Sequence, residues 1–408
     1  MQVLSNLSQV VTLEKAAEKG GRHLQPEDLS IIENGAVVHD GEEILWVGKT
    51  EELPEKYVSA PTLRLEGHVL TPEVVDSHTH IVFGGNRAHE YTMRLNGADY
   101  QDIAKAGGGI LSTMRSTQEE DQLTLFEKAS ARIERLHSYG IGTIEIKSGY
   151  GLTWEKEKEL NHIIHRLKKK FAPKIRIVNT YMAAHAVPKE YSSSSEFMDA
   201  VVLPLLEELA GEGIIDQADI FHEEGYFSTE DARRLYEKCR ELGLPFKSHA
   251  DEFQDSKAAV LAAEMEALSC DHLLRTEQDG IEKLAASNTV ATLLPGTGLF
   301  LGKPQANARK FLDAGCKVAL ASDYNPGSCH LDNVILAASI AAPIYKMNLA
   351  EIWTGLTLNA GHALGLNQQG VLKPEMEARF SLFKVDMIDE ITYSWGRNFA
   401  RDLHQLSS

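Results

Sequence analysis

The stretch Val74-Val75-Asp76-Ser77-His78-Thr79-His80 decides the fold, because a short apolar run ends there in two histidines separated by one residue. Side chains at positions i and i+2 of an extended strand leave the same face about 7 Å apart, so His78 and His80 can converge on one metal ion. With 16 histidines in the chain, such a pair also arises by chance as two solvated residues at a strand end. Polar residues at the ends of later strands distinguish these two interpretations.

From about residue 70 onward, eight short apolar segments alternate with charged helical stretches. Strands are predicted at residues 74–80, 143–147, 175–182, 218–222, 245–249, 267–272, 289–294 and 317–322. Helices are predicted among them at 123–140, 154–171, 195–212, 229–243 and 256–266. Eight apolar strands joined by helical crossovers are typical of a closed parallel barrel. An open doubly wound sheet is disfavoured, because the first strand is not followed by a glycine-rich phosphate turn.

Both ends of the chain are rich in predicted strands rather than helices. Short strands are predicted at 2–4, 35–39, 44–48 and 62–65, and again at 369–372 and 378–385 after a helix at 352–364. The pattern predicts an α/β fold, a TIM-like (β/α)8 barrel at residues 71–360 with a small β-sandwich-like domain formed by residues 1–70 and 361–408.

Composition narrows the class of protein. The formal net charge of -18, spread without a long acidic run, disfavours nucleic acid and anionic membrane as partners. The N-terminus lacks a basic segment followed by an apolar one, and no apolar run approaches the roughly 20 residues needed to span a bilayer. Four cysteines without close pairing indicate free thiols in a reducing compartment (Cys239, Cys270, Cys316 and Cys329). We expect a cytoplasmic enzyme.

Histidines and one aspartate follow the carboxyl ends of the predicted strands, where barrels of this kind collect their chemistry. These residues are His78 and His80 on the first strand, His185 after the third, His249 on the fifth, His272 on the sixth and Asp323 after the eighth. Scattered solvent-facing histidines would not follow strand ends in this way. Metal ligation is therefore the favoured interpretation.

A site of three histidines and one aspartate, with an open position for water, is predicted from His78, His80, His249 and Asp323. The alternatives are a polar strand cap for His249 and an ordinary turn aspartate for Asp323, which precedes Asn-Pro-Gly. Such a shell suits zinc and also accepts iron, so the expected cofactor is one Zn²⁺ or Fe²⁺/Fe³⁺ per subunit. We expect His272 beside the ion, holding the water by a hydrogen bond rather than ligating directly.

Three further stretches are more specific than the metal pattern: Phe83-Gly84-Gly85-Asn86-Arg87, Lys147-Ser148-Gly149-Tyr150-Gly151-Leu152 and Asp323-Tyr324-Asn325-Pro326-Gly327. Together with the histidines, they resemble the amidohydrolase superfamily and, within it, the imidazolonepropionases. The resemblance implies hydrolysis of the ring amide of 4-imidazolone-5-propanoate to N-formimidoyl-L-glutamate, a step of histidine breakdown.

The resemblance also implies which residues act. Substrate contacts are expected from Arg87, Tyr150, His185, Glu252, Asn325, Gly327 and Ser328, with Tyr100 as a further candidate for the carboxylate. Arg87 offers a forked, permanently charged donor that suits the propanoate. Asp323 or His272 is expected to take the proton from water, His185 to polarise or bind the ring carbonyl, and Glu252 to pass a proton to the leaving nitrogen.

Binuclear members of the superfamily carry a bridging carboxylated lysine at the end of strand four. Here that position reads Phe221-His222-Glu223-Glu224, which favours one metal and a strand-capping role for His222 and Glu223 over a second ion. The glycines at 107–109 suggest a flexible lid rather than a phosphate cradle.

There are three alternative functions: another metal-dependent hydrolase of the same fold, a non-catalytic scaffold and an oxidoreductase. A deaminase or other cyclic-amide hydrolase acting on a purine, pyrimidine or triazine would share the fold, but a neutral heterocycle gives no reason for the carboxylate clamp of Arg87. A non-catalytic scaffold would be expected to lose ligands. A nicotinamide-dependent oxidoreductase lacks its dinucleotide turn. A homodimer is compatible with the sequence, which leaves the oligomeric state open.

Overall fold

The computed structural model describes residues 1–98, 102–103 and 107–406, without the side chain of His404. Its strands are β1 Gln2–Val11, β2 Ile31–His39, β3 Ile44–Lys49, β4 Thr62–Arg64, β5 Val69–Pro72, β6 Val74–Asp76, β7 Ile141–Lys147, β8 Arg176–Ala184, β9 Gln217–His222, β10 Ser248–Ala250, β11 Ser269–His272, β12 Val290–Leu293, β13 Val318–Leu320, β14 Phe380–Phe383 and β15 Ala400–Arg401. They form two sheets.

Strands β6 to β13 form an eight-stranded sheet in which each strand lies beside the next in sequence, and every pair is parallel. The sheet closes just beyond its first and last strands. There Asp323 donates its N–H to the carbonyl of His78 at 3.0 Å, and His80 donates to the carbonyl of Tyr324 at 2.9 Å. The predicted TIM-like barrel is confirmed, and its seam passes through the first histidine pair.

The α-helices cover Glu14–Glu18, Ala88–Leu95, Ile110–Glu119, Gln122–Ser138, Trp154–Phe171, Ser194–Phe197, Leu203–Glu212, Thr229–Leu242, Ala258–Glu264, Gln278–Ala286, Pro295–Leu301, Ala308–Ala314, Val334–Tyr345, Leu349–Leu356, Leu358–His362, Asp389–Tyr393 and Leu403–Leu406. Short 3₁₀ turns lie at Pro26–Leu29, Thr50–Glu52 and Glu55–Tyr57, and a π-turn at Met198–Val202.

Side-chain caps explain where several crossover helices begin. Ser228 and Asp231 form a capping box at the start of Thr229–Leu242, which satisfies two otherwise unpaired amides. Thr153 accepts from the amide of Lys156 at the start of Trp154–Phe171. The latter helix has the predicted bounds, whereas the predicted helix at 195–212 is divided by the π-turn.

The amino end of the barrel is closed by apolar side chains, so its polar site lies at the other end. A buried cluster joins barrel residues to the segment around Leu358–His362, and it consists of Val75, Val178, Val290, Ala319, Ala360, Ala363 and Leu364. The larger core lies between the barrel strands and the surrounding helices, and it includes Ile144, Leu160 and Leu205. Burial of this apolar surface is the main stabilising contribution.

Both chain ends build the second sheet, which runs in the order β15-β14-β5-β1-β2-β3, with β4 also on β1. Its own apolar cluster includes Leu4, Leu70 and Leu382, which lie on β1, β5 and β14. A small β unit made from both termini was expected and is confirmed. The strand predicted at 369–372 is wrong, because Gly370 adopts φ +89° and the segment is irregular, with bends at residues 370 and 371.

Among the described residues, no helix is both long enough and apolar enough to cross a bilayer. All four cysteines are free and buried.

Candidate metal centre and active site

Three histidines meet at the carboxyl end of the barrel. His249 lies within β10, whereas His78 and His80 follow β6, which ends at Asp76 instead of continuing to residue 80 as predicted. One side-chain nitrogen from each lies within 4.8 Å of the others. All three residues are at most 2% exposed, so the packing of the protein interior holds them close together.

The nitrogens that face this point have the chemistry of metal ligands. His78 directs Nδ1 at Asp271 Oδ2, 2.6 Å away, and its Nε2 is buried without a hydrogen-bond partner among the described residues. Both ring nitrogens of His249 are buried without a hydrogen-bond partner among the described residues, and its Nδ1 lies 3.0 Å from Asp219 Oδ2. Because a buried polar atom without a partner is costly, these nitrogens fit a bound ion.

Asp323 adds a carboxylate to the three imidazoles. Its Oδ1 lies 3.5 Å from His78 Nε2 and 3.9 Å from His80 Nε2. Its Oδ2 accepts a hydrogen bond from Thr297 Oγ1 at 2.5 Å, which fixes the orientation of the carboxylate. The donor set of three imidazoles and one carboxylate suits zinc or iron.

Burial controls the protonation of these groups. Desolvation lowers the pKa of His78 far below its usual value, and Lys147 lowers it further; desolvation and then His185 do the same for His80. Both imidazoles are therefore neutral, the form that binds metals. Burial raises the pKa of Asp323 to about 6, so this carboxyl is mostly ionised at neutral pH.

His272 and Glu252 flank the cluster of three histidines and Asp323. A nitrogen of His272 lies within 4.8 Å of ligand atoms of His78 and Asp323, and its Nδ1 is 3.6 Å from Glu252 Oε2. Burial lowers the pKa of His272. Burial, followed by Asp323 and Glu223, raises the pKa of Glu252 to about 8, so this side chain is mostly protonated at neutral pH.

His185 and Tyr150 line the other side of the histidine group. The His185 ring stacks on that of His80 with centroids 5.0 Å apart, and its Nδ1 lies 3.1 Å from the carbonyl oxygen of Gly149. Burial lowers the pKa of His185 to about 3. The Tyr150 ring lies 5.7 Å from His80 and 5.4 Å from His185, and burial raises the pKa of its phenol.

The loop that carries Tyr150 is held by one buried carboxylate. Glu157 accepts from the amides of Gly149, Gly151 and Leu152 at 3.1, 2.7 and 3.0 Å. Gly149 adopts φ +109°, and a Cβ there would lie 2.8 Å from the carbonyl oxygen of Met182. Glycine is therefore required where the loop passes close to β8.

Arg87 lies in a polar group of its own. Its Nε and Nη2 donate to Glu90 Oε2 at 2.9 and 2.7 Å, and a Cβ on Gly327 would lie 1.7 Å from its Nη1. The amide of Gly109 donates to the other oxygen of Glu90 at 3.1 Å. Arg94 Nη2 donates to the carbonyl of Gly327 at 2.9 Å. Two guanidinium groups therefore meet at Gly327.

The turn after Asp323 uses the side chain of Asn325 internally. Its Oδ1 accepts from the amides of Gly327 and Ser328, both at 2.8 Å, and its Nδ2 donates to the carbonyl of Asp323 at 2.7 Å. Asn325 thus shapes the turn that presents Gly327 and Ser328. Tyr100, the further carboxylate candidate, lies outside the described residues.

His222 and Glu223 have hydrogen-bonding roles at the end of β9. His222 Nε2 lies 3.0 Å from Thr229 Oγ1. Glu223 accepts from the amides of Phe253 and Gln254 at 2.9 and 3.2 Å, which fixes the loop that carries Glu252. These contacts are those of strand-end caps, the role favoured from the sequence.

The family model of the amidohydrolase family matches residues 69–400 of the chain. Imidazolonepropionase from Paracoccus denitrificans is 40% identical over 400 residues, which cover 98% of this chain and 97% of that protein. The chain belongs to the imidazolonepropionase family. Imidazolonepropionase from Bacillus velezensis is also 40% identical, over 403 residues that cover 98% of this chain and 94% of that protein. The resemblance found in the motifs is confirmed.

Solved structures share the fold at much lower identity. A triazine hydrolase variant matches with a TM-score of 0.74 and 14% identity, covering 99% of this chain and 97% of that one. Atrazine chlorohydrolase from Arthrobacter aurescens, complexed with zinc, matches with a TM-score of 0.70 and 15% identity, covering 95% and 88%. Family membership and the buried imidazole cluster together indicate that the protein uses a metal.

Sequence reasoning missed one feature of this imidazolonepropionase-family site. Glu145, Lys147, Asp219, Lys247 and Asp271 are all completely buried in the barrel, next to the histidines. The sequence contained a signal for these buried charges. Lys247 lies two residues before His249, and Glu145 lies two residues before Lys147. Residues two apart on a strand share a face, so a charged residue two positions before a ligand belongs to the barrel interior.

Proposed function

We propose that this protein hydrolyses the ring amide of 4-imidazolone-5-propanoate to N-formimidoyl-L-glutamate, with one metal ion held by His78, His80, His249 and Asp323. One observation carries the proposal: ligand atoms of His78, His80 and His249 lie within 4.8 Å of one another, with Asp323 Oδ1 3.5 Å from His78 Nε2, in a chain of this family. The resident ion is zinc or iron. When bound, it supplies Lewis acidity, which makes water a stronger acid and polarises a carbonyl oxygen.

The substrate's carboxylate supports a role for Arg87. Its guanidinium is fixed by Glu90 on one side and lies against Gly327 on the other, so the orientation of its remaining donor is set in advance. Arg94 donates to the carbonyl of the same Gly327, so two arginines and Glu90 leave this group with a net positive charge that attracts an anion in an otherwise acidic protein. Gly327 and Ser328, presented by Asn325, complete the proposed carboxylate subsite.

His185 and Tyr150 are proposed to bind the ring. Because neutral His185 directs Nδ1 at the carbonyl of Gly149, its Nε2 is an acceptor that suits a ring N–H. This tautomer argues against the expected donation from His185 to the ring carbonyl. The phenol of Tyr150, whose pKa is raised by burial, keeps its proton and suits that donation instead.

The proton transfers are assigned to ionisable residues around the metal-binding group. Hydrolysis adds a hydroxyl group to the carbonyl carbon, breaks the ring C–N bond and leaves a proton on the departing nitrogen. Asp323 or the neutral His272 accepts the proton released by water. Glu252, whose raised pKa of about 8 keeps it protonated at neutral pH, donates to the departing nitrogen.

The domain division and the cellular location expected from the sequence are also part of this proposal. We assign residues 71–360 to the catalytic barrel domain and residues 1–70 with 361–408 to the small β domain. The free, buried state of all four cysteines supports the expected cytoplasmic location.

Metal analysis of the purified chain, combined with an ultraviolet assay on freshly made 4-imidazolone-5-propanoate, tests the function. We expect about one zinc or iron per chain and rapid loss of the substrate's absorbance. Metal-replete protein that ignores this compound but deaminates a nucleobase would overturn the proposal.

A further inference from the structure

Two lysines and three carboxylates occupy the buried interior of the barrel, and the side chains of all five are 0% exposed. Lys147 Nζ lies 2.7 Å from both Glu145 Oε1 and Asp219 Oδ2. Lys247 Nζ lies 3.2 Å from Glu145 Oε1 and 3.1 Å from Asp271 Oδ2. Glu145 therefore joins both lysines into one group, which we call the lysine–carboxylate network.

The network contacts two of the histidines proposed as metal ligands, in both cases at Nδ1. Asp271 Oδ2 lies 2.6 Å from His78 Nδ1, and Asp219 Oδ2 lies 3.0 Å from His249 Nδ1. Lys247 also donates to the carbonyl of Ser77, next to His78, at 2.7 Å. Asp271 and Asp219 are thus each held between a lysine and a histidine, whereas Glu145 lies between the two lysines.

Stability alone does not account for these residues. Desolvating charged groups costs several kcal/mol per ion, and replacing a buried ion pair by apolar residues is often neutral or stabilising. The apolar cluster that includes Val75 and Ala319 shows that other parts of this barrel are filled with apolar residues. A role at the neighbouring site therefore explains the network better.

We propose that Lys147 and Lys247 position Asp219 and Asp271 so that His78 and His249 carry their protons on Nδ1 and present Nε2 to the metal. The inference rests on the metal centre proposed above. A carboxylate that accepts from Nδ1 fixes both the tautomer and the ring orientation of a histidine, and loss of such a partner typically lowers metal affinity 10- to 100-fold. The lysines are positioning residues, because they act through the carboxylates.

Nitrogen-15 NMR of the metal-stripped full-length chain tests the tautomer directly. We expect His78 and His249 to be protonated on Nδ1, with Nε2 free. Protonation of His78 on Nε2 would overturn the proposal, and this measurement needs no variant that has to fold.

Zinc affinity, measured by competition with a chelator, tests the consequence. Asp271→Asn keeps the size of the side chain and is expected to weaken zinc binding about 10- to 100-fold. Glu351→Gln is the matched control, since Glu351 is also buried and ion-paired, 2.8 Å from Arg309, but lies away from the histidines. A lower melting temperature with unchanged zinc affinity in Asp271→Asn would mean a purely structural role and would refute the inference.

A double-mutant cycle tests whether Lys247 acts through Asp271. Lys247→Met alone is expected to weaken zinc binding, and to add much less when Asp271→Asn is already present, because partners in one network are not additive. Full additivity would contradict the proposed role. Binding of zinc or iron without hydrolysis of 4-imidazolone-5-propanoate by either form would reject the proposed function, while the affinity ratios would still decide the role of the network. A chain that binds neither zinc nor iron would overturn both.

Discussion

Replacing Gly327 with alanine is expected to weaken hydrolysis by displacing Arg87. The new Cβ would lie 1.7 Å from Arg87 Nη1 and 2.5 Å from its Cζ, whereas non-bonded heavy atoms approach to about 3.5 Å. The guanidinium must therefore move by roughly 1.8 Å, a shift that hydrogen bonds of 2.9 and 2.7 Å to Glu90 do not survive. The guanidinium of Arg87 then loses the position and orientation that it has in the structure.

The size of the effect follows from the bond at stake. A hydrogen bond to a charged group contributes about 1.5–3 kcal/mol, which corresponds to a roughly tenfold to hundredfold fall in kcat/KM. The ultraviolet assay at saturating metal should show most of this fall in KM, because the displaced group is proposed to hold the carboxylate rather than the reacting carbonyl.

Two comparisons make the Gly327→Ala result interpretable. Gly211→Ala is the matched control, since a Cβ at the exposed Gly211 meets no atom within 4 Å, and it should leave kcat/KM unchanged. A substrate analogue that lacks the carboxylate should be hydrolysed equally by the Gly327→Ala and unaltered proteins. An equal loss on both compounds would refute the assignment of Arg87 to the carboxylate.

Three further outcomes are expected. Glu252→Gln should lower kcat by about 10²–10⁴. It should also abolish the decline in kcat that we expect of the unaltered enzyme as pH rises through about 8, where Glu252 loses its proton; an unchanged kcat would remove Glu252 from proton transfer. His249→Ala should reduce bound metal well below one per chain by elemental analysis, whereas His222→Ala, whose ring bonds Thr229, should not; equal losses would contradict the ligand set. Leu205→Ala should lower the free energy of unfolding in denaturant by about 2–5 kcal/mol, but Leu123→Ala, 59% exposed, by no more than about 0.5 kcal/mol; similar values would show that the core is misplaced.

The barrel was predictable because its strands are short apolar runs between turn residues and helical crossovers. The first strand was predicted too long, since periodicity cannot show that regular pairing stops at Asp76. Beyond Asp76, the backbones of His78 and His80 pair with Asp323 and Tyr324, which follow the last strand of the barrel. That contact is set by closure of the whole sheet, so no local pattern encodes it. The strand predicted at 369–372 failed for a local reason, the positive φ of Gly370.

The clustering of His78, His80 and His249 was predictable because histidines at strand ends stand out from apolar surroundings. The tautomer of His185 was not, because it depends on the carbonyl of Gly149, which belongs to the preceding strand's loop. Arg87 was recognised, but its partner Glu90 looked like any charged residue on a helix. Only the structure shows that Glu90 links Arg87 to the amide of Gly109. The individual roles at the site and the domain boundaries stay predictions.

The seam between the first and last strands of the barrel relates the proposed metal centre to the synthesis and folding of the chain. His78 leaves the ribosome early, whereas Asp323 follows only after well over half of the sequence has been made. Their backbones meet when the last strand docks beside the first, so a nascent or half-folded chain lacks the complete ligand set. An ion that binds only the closed barrel shifts the equilibrium towards it by mass action. Metal binding by the proposed ligands would therefore favour the completely synthesised, closed barrel, because it would join the first and last strands, which are far apart in sequence.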